Sequence, residues 1–326
     1  MFIHSNITGT YVFDEDFKVV ERIKINLKDN FLEWVDNEKQ LITKYKGKNL
    51  FYIGNKNEKL EGIKLTQDPK KLQRLTKYFK DNIKEFFKPN IKLTKKAVKE
   101  AVNQDMFIIH AINNIDELDK SANMLVKRLR EWYSLYLPEF SRTIGDNESF
   151  TEIILKKTKE QLLEEIKINK EDSMGTDLDK KDLEPIINLA KKIQELYNLR
   201  TDHEKYLEKI MENYCPNLQA LAGTTTGAKL IALARSLKRL VLFPASTIQL
   251  LGAEKALFRH LKTGARPPKY GILVNHPIVS KVPKKDKGKA ARALADKIAI
   301  GVKIDYYKGQ FIGDDLRKKL EERFTR

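Results

Sequence analysis

The sequence predicts a mostly helical chain with a small α/β unit at its N-terminus, and three features carry that prediction. From about Thr94 onward, apolar residues recur at spacings of three and four over long stretches. Short β-type runs are confined to roughly the first 65 residues. A charged fraction of 33% suits long exposed helices better than one compact globule. A chain of 326 residues has room for two or three domains. We place them at 1–93, 94–214 and 215–326.

In the first domain, Thr10-Tyr-Val-Phe13 and the run from Phe17 to Ile25 flank Asp14-Glu-Asp16, which reads as a hairpin. Asn49 to Ile53 is a further strand candidate, closed by Gly54-Asn55. Leu72, Leu75, Phe79, Ile83, Phe86 and Phe87 follow helical spacing, and Pro89 is expected to end that helix. The unit shows no chemistry of its own and reads either as a docking module or as a fold packed only for stability.

The second domain opens with a helix through Ile112, Ile115, Leu118, Ala122, Leu125, Leu129, Trp132 and Tyr136, broken at Pro138. A second run holds Phe150, Ile154, Leu155, Leu162 and Ile166, and a polar turn around Gly175 follows. A third run takes Ile186, Ala190, Ile193, Tyr197, His203, Leu207 and Ile210. Two helices of about 25 to 30 residues joined by a short polar turn form an antiparallel coiled-coil hairpin of roughly 40 Å. Its apolar seam is covered either by a second copy, the homodimer we expect, or by the chain itself.

The last domain, expected to be helical over about 227–241, 246–262, 286–301 and 311–324, holds most of the net charge. Between Gly227 and Arg292 there are fifteen Lys and Arg against Glu254 and Asp286, a net +13 of the chain's +17. Within it, Gly252 to Gly271 reads as a helix followed by an irregular arm. Ala253, Ala256, Leu257 and Leu261 share an apolar face beside a cationic stripe of Lys255, Arg259 and Lys262. Gly264, Pro267 and Pro268 stop the helix, and the arm carries Arg266 and Lys269. A second cluster, Lys281 to Arg292, leads into another helix start, where amides and cations together favour an anion. Fixed cations on a helix and a loop fit a phosphate backbone better than a small metabolite. A merely solvated basic face is the alternative.

Other chemistry is poorly supported. Gly223-Thr-Thr-Thr-Gly227-Ala-Lys229 lacks the spacing of a phosphate loop, and Thr224, Thr225 or Thr226 as a helix N-cap explains it better. The five histidines form no metal-ligand set, and His110 is expected to be packed between helices. Asp116, Glu117 and Asp119 read as a solvated helix face. The lone Cys215 reads as packed and inert, in keeping with a cytoplasmic location. No apolar run of about 18 residues is present, and the N-terminus lacks the pattern of a signal peptide. The sequence offers no catalytic centre.

The segments Gly252-Ala-Glu-Lys255, Leu257-Phe-Arg-His-Leu-Lys262, Pro268-Lys-Tyr-Gly271 and Lys287-Gly-Lys-Ala-Ala-Arg-Ala-Leu-Ala295 together resemble a Nop domain, over about Cys215 to Lys308. Upstream, Asp105 to Asn114 and Arg130 to Phe140 resemble the same family, and the first 90 or so residues resemble it least. The chain stops soon after Phe324 without a Lys-rich tail, which is similar to the archaeal members that serve box C/D guide ribonucleoproteins in RNA 2′-O-methylation. The resemblance implies a non-catalytic scaffold. Its N-terminal module would dock fibrillarin, the methyltransferase that binds S-adenosylmethionine. Its hairpin would form a homodimer, and its Nop domain would bind kink-turn guide RNA together with a small ribosomal-protein-like kink-turn protein.

By the same resemblance the RNA-facing positions fall on Gln249, Lys255, Arg259, His260 and Lys262, then Arg266 and Lys269, then Asn275 and His276, then Lys287, Lys289 and Arg292. Relatives often carry Gln or His where this chain has Asn275, which still offers a donor and an acceptor. A spliceosomal-type Nop adaptor with no methyltransferase attached is the alternative role.

Overall fold

The computed structural model describes residues 1–24, 33–53 and 63–324 and divides into two compact units, Met1–Val102 and Asn103–Arg326. The ends of two expected β segments, Ile25 and Gly54-Asn55, lie outside the described residues.

The first unit is built on a five-stranded sheet of order β3-β2-β1-β4-β5, with β1 at Phe2–Asn6, β2 at Gly9–Phe13, β3 at Val19–Ile23, β4 at Phe51–Ile53 and β5 at Lys64–Thr66. β1, β2 and β3 pair antiparallel, whereas β4 joins β1 and β5 joins β4 in parallel. Strand alternation sends Phe2, Tyr11, Phe13 and Ile53 to one face, where Leu75 of helix α2 (Pro69–Asp81) packs. Ile3, Val12 and Tyr52 go to the other, against Leu41 of helix α1 (Glu33–Lys44). Pro89 does not end a helix. The break falls at Asn82, whose side-chain amide donates to the Tyr78 carbonyl at 2.9 Å and closes α2. Helix α3 (Lys84–Glu100) then carries Pro89 inside it.

The second unit is helical. α4 (Gln104–Tyr133, 30 residues) packs along α8 (Lys180–Tyr214, 35 residues). The connection between them is no short turn. It folds into α5 (Pro138–Thr143), α6 (Asn147–Lys156) and α7 (Lys159–Glu165), and these close the seam from within the chain. Ala122, Val126, Leu129 and Tyr133 of α4 meet Ile186, Ala190, Ile193 and Tyr197 of α8, covered by Phe150, Ile154, Leu162 and Leu163. Of the two ways to cover the seam, the chain itself supplies the burial, where a second copy was expected. Arg200 fastens the three layers, donating to Asp119 of α4 at 3.0 Å and to Glu148 of α6 at 2.7 Å.

At the hairpin tip, buried Lys159 donates to Asp177 at 2.9 Å and lies over the Tyr136 ring at 4.7 Å. Gly175 is pressed so closely on the Tyr136 carbonyl that a Cβ there would lie 2.1 Å from its oxygen.

The remaining helices pack round the other end of α4 and α8. They are α9 (Pro216–Ala222), α10 (Thr224–Ala234), α11 (Leu237–Leu242), α12 (Ala245–Leu250), α13 (Glu254–Thr263), α14 (Pro277–Ser280), α15 (Lys287–Tyr306) and α16 (Gly313–Phe324). Ile108, Ile112 and Ile115 share one core with Leu207, Met211, Leu218, Leu230, Leu294 and Ile298. Asp105 accepts the Leu237 amide at 3.0 Å and Asp116 pairs with Lys229 at 2.8 Å, so α4 is bonded to α10 and α11. Of the acids expected on a solvated face, Asp116 and Asp119 are ion-paired to Lys229 and Arg200 of other helices, whereas Glu117 stays on the surface beside Lys120 as expected. His110 is exposed rather than packed. Buried Cys215 donates to the Met211 sulfur at 3.5 Å, and burial pushes its thiol pKa up.

Candidate nucleic-acid interface

Two of the expected C-terminal helices are each broken in two, and the breaks shape the basic surface. Arg235 takes a left-handed conformation (φ 70°) that ends α10, and Ser236 accepts the Arg239 amide at 3.1 Å to start α11. Gly252 (φ 85°) separates α12 from α13, and its amide donates to Glu254 at 2.7 Å. The threonines do not cap α10. Gly223 occupies that position, and the Thr224 hydroxyl accepts instead from the Gln219 side chain at 3.1 Å.

The irregular arm after α13 is strapped at both ends. At its start, Gly264 (φ 68°) closes the helix, and the His260 ring is hydrogen-bonded through Nδ1 to the Ala265 carbonyl. At its end, Gly271 donates to the Gln249 carbonyl and Ile272 to the Leu251 carbonyl, both at 2.8 Å. Gln249 adds its side-chain amide, donating to the Lys269 carbonyl at 2.6 Å. The return passes so close to α12 that a Cβ on Gly271 would lie 1.8 Å from the Leu251 oxygen. The aliphatic part of Lys269 packs at Gly288, where a Cβ would be in ordinary contact at 3.5 Å, so the arm meets the first turn of α15.

This geometry brings together most of the residues expected from sequence. Lys255, Arg259 and Lys262 are exposed on α13, and Arg266 and Lys269 on the arm. Among the described residues, none of these five cations has an ion-pair partner. Lys289 and Arg292 are exposed on α15 and Lys287 is half-buried; Lys289 reaches Asp286 at 3.3 Å. Gln249 and His260 are engaged within the protein and position the arm.

Asn275 is exposed, but His276 is not part of the surface, being only 7% exposed. Its Nδ1 accepts the Ile278 amide at 3.3 Å to cap α14, and burial pushes its pKa below the usual imidazole range. A histidine two residues before an amide that needs a partner is a capping signal as much as a binding signal.

Of the apolar stripe read on α13, Ala253, Ala256 and Leu257 are half-buried, but Leu261 is exposed, as is Phe258 outside it. Phe258 is 67% exposed and Leu261 is 74% exposed, beside Lys255, Arg259 and Lys262. Large apolar side chains left in water amid unpaired cations mark a surface suited to both protein and phosphate. Sequence reasoning misses Phe258 because one helical turn cannot show which of its two apolar edges faces the core. Among the described residues, no group of His, Cys, Asp and Glu is arranged to hold a metal, and no helix is long and apolar enough to cross a membrane.

Comparison with known proteins places these features in a family. A family model described as "Nop: snoRNA binding domain, fibrillarin" matches residues 114–326. An uncharacterized NOP5 family protein of Methanocaldococcus jannaschii is 43% identical over 71% of this chain and 59% of its own length. Nucleolar protein 58 of Schizosaccharomyces pombe is 41% identical over 62% of this chain and 42% of its own. Nucleolar protein 56 of the same yeast is 39% identical over 70% of this chain and 50% of its own. The chain thus spans about half the length of the curated relatives it matches. The crystal structure of a fibrillarin/Nop5p complex aligns over 99% of this chain and 98% of that chain, at 24% identity and a TM-score of 0.44. On the family match and the identity to its relatives, the chain belongs to the Nop family.

Proposed function

We propose that this chain is the non-catalytic scaffold of a box C/D guide ribonucleoprotein. In this reading the basic domain binds a kink-turn RNA already held by its kink-turn protein, and fibrillarin, docked on the N-terminal unit, supplies S-adenosylmethionine and the methyl-transfer chemistry. The roles divide near residues 93 and 214. The observation that carries the reading is the strapped arm: unpaired cations on α13 and the arm flank the exposed Phe258 and Leu261, so one surface offers partners to phosphate and to protein together.

Two further features support the other roles. In the N-terminal unit a groove of about 440 Å³ is lined by His4, Leu75, Phe79, Ile83 and Phe86, and Ile83 and Phe87 are exposed nearby. That apolar surface suits the docking of a folded partner. At the hairpin tip, Leu135 is 59% and Met174 is 78% exposed, and a 2.9 Å bond from the Thr176 amide to the Leu135 carbonyl holds the two segments together. This apolar tip supports pairing with a second copy, with the seam itself closed within each chain.

The reading is tested by reconstitution from purified guide RNA, kink-turn protein, fibrillarin and labelled S-adenosylmethionine. Transfer of methyl to the guided nucleotide is expected only when this chain is added. Full transfer without it, or transfer by this chain with fibrillarin omitted, would remove the scaffold role.

A further inference from the structure

A second cationic site lies where the last helix crosses the basic domain. A cavity of about 570 Å³ is lined by Ser246 of α12, by Lys289, Arg292 and Asp296 of α15, and by Arg323 of α16. These elements come from three separate parts of the sequence, and only the fold brings them together. Among the described residues, neither Arg292 nor Arg323 has an ion-pair partner, although an acid lines the same cavity. Asp296 is turned to Lys297 at 3.5 Å, and Lys289 reaches Asp286 at 3.3 Å. Elsewhere on α16 the pattern differs: Arg317 is neutralised by Glu321 at 2.9 Å. Arg323 instead lies over the Phe324 ring at 5.4 Å and faces a wall that already carries two cations.

With Lys289 already shared with Asp286 and Asp296 turned to Lys297, the two unpaired guanidiniums of Arg292 and Arg323 leave the cavity with a positive charge that an anion would offset. A guanidinium supplies a planar fork of donors matched to phosphate oxygens, and the Ser246 hydroxyl adds a neutral donor. Lys289 and Arg292, three residues apart, share a face of α15, and the arm's Lys269 packs at the adjacent Gly288. A phosphate seated here therefore belongs to a polymer that also runs over the arm.

We propose that Ser246, Lys289, Arg292 and Arg323 form a phosphodiester subsite, so that the RNA track continues from the arm across α15 to the last helix. This rests on the RNA-binding reading of the basic domain and extends it to α16, which neither charge density nor the motif match singled out.

The test uses the full chain titrated into a kink-turn RNA prebound by its kink-turn protein, at several salt concentrations. Arg323→Gln is compared with Arg292→Gln, with Arg323→Lys and with Arg317→Gln, a cation on the same helix already paired within the protein. Circular dichroism of each variant excludes misfolding, which is not expected at these exposed positions. Arg323→Gln is expected to weaken binding by about fivefold. It should also make the slope of log K against log salt shallower by about 1, because one phosphate fewer is neutralised. Arg323→Lys should keep the slope, and Arg317→Gln should match wild type. The subsite is refuted if wild type binds with the expected salt dependence, Arg292→Gln weakens it, and Arg323→Gln leaves affinity and slope unchanged. Failure of wild type to bind at any salt would instead overturn the RNA-binding reading, and the subsite with it.

Discussion

Replacing Gly271 by alanine should dislocate the arm while leaving the helical hairpin intact. The added Cβ would lie 1.8 Å from the Leu251 oxygen and 2.7 Å from its carbon, backbone atoms that no rotamer change can move away. The return strand must shift, and three hydrogen bonds go with it: Gly271 to Gln249, Ile272 to Leu251 and Gln249 to Lys269. At about 0.5–1.5 kcal/mol net for each bond, and with overpacking costs of about 1–3 kcal/mol as an independent check, the local loss is about 2–4 kcal/mol. Arg266 and Lys269 then lose their fixed placement. Affinity for the kink-turn ribonucleoprotein should fall about tenfold or more, where each tenfold corresponds to about 1.4 kcal/mol.

Gly264→Ala is the control. A Cβ there meets nothing within 4 Å, and only the left-handed backbone (φ 68°) opposes it, at about 1–2 kcal/mol. Because the strap at Gly271 survives, its affinity should change less than about threefold, within the scatter of mutational effects at positions that touch no partner. Urea unfolding and a gel shift on both variants decide the matter. Wild-type affinity and stability for Gly271→Ala, or equal losses for the two variants, would refute the claim that the strap places the cations.

Three further outcomes are expected. Phe258→Ser should weaken binding when the kink-turn protein is present and leave binding to naked RNA unchanged, whereas Arg259→Ala should weaken both; gel shifts with and without that protein separate the two. Arg200→Met should lower the unfolding free energy in urea by about 1–2 kcal/mol, because the side chain is largely buried while its partners Asp119 and Glu148 are partly exposed and screened. Adding Asp119→Asn should recover part of that loss. Burial holds the His276 pKa below its unfolded value of about 6.5, so the unfolded chain takes the proton first. Stability is therefore full above that pH and declines as pH falls through it toward the folded pKa. Thermal unfolding between about pH 7.5 and 5 should show the decline in wild type, and His276→Asn, which keeps an acceptor for Ile278, should flatten it.

The helical character of the chain is legible in sequence because the signals are long. The apolar repeat from Ile112 through Leu129 and that from Ile186 through Leu207 appear as α4 and α8. The stop at Gly264 is legible because a glycine in the left-handed region followed by prolines leaves a helix little choice. Where the outcome depends on competition between local partners, the sequence is silent. Asn82 rather than Pro89 ends α2 because its side chain captures the Tyr78 carbonyl. Arg235 ends α10 in a conformation that no propensity assigns to arginine.

The candidate site divides in the same way. The cations of α13, the arm and α15 are visible as charge density. The roles of Gln249 and His260 in holding the arm require knowing which carbonyls lie opposite them. The burial of His276, the exposure of Phe258 and Leu261 and the approach of Arg323 to Arg292 are properties of packing between distant elements. So is the closure of the hairpin seam by Phe150 and Leu162. With the seam closed, the apolar side chains still exposed on the hairpin include Leu135 and Met174 at its tip.

Recognition of RNA and protein together by the basic domain is tested most directly by a gel shift at fixed moderate salt. The chain is titrated into a kink-turn RNA in the presence and absence of the kink-turn protein. Tight, saturable binding only when that protein is bound is the predicted result. Equal binding with and without it would reduce the surface to a general polyanion binder and contradict composite recognition.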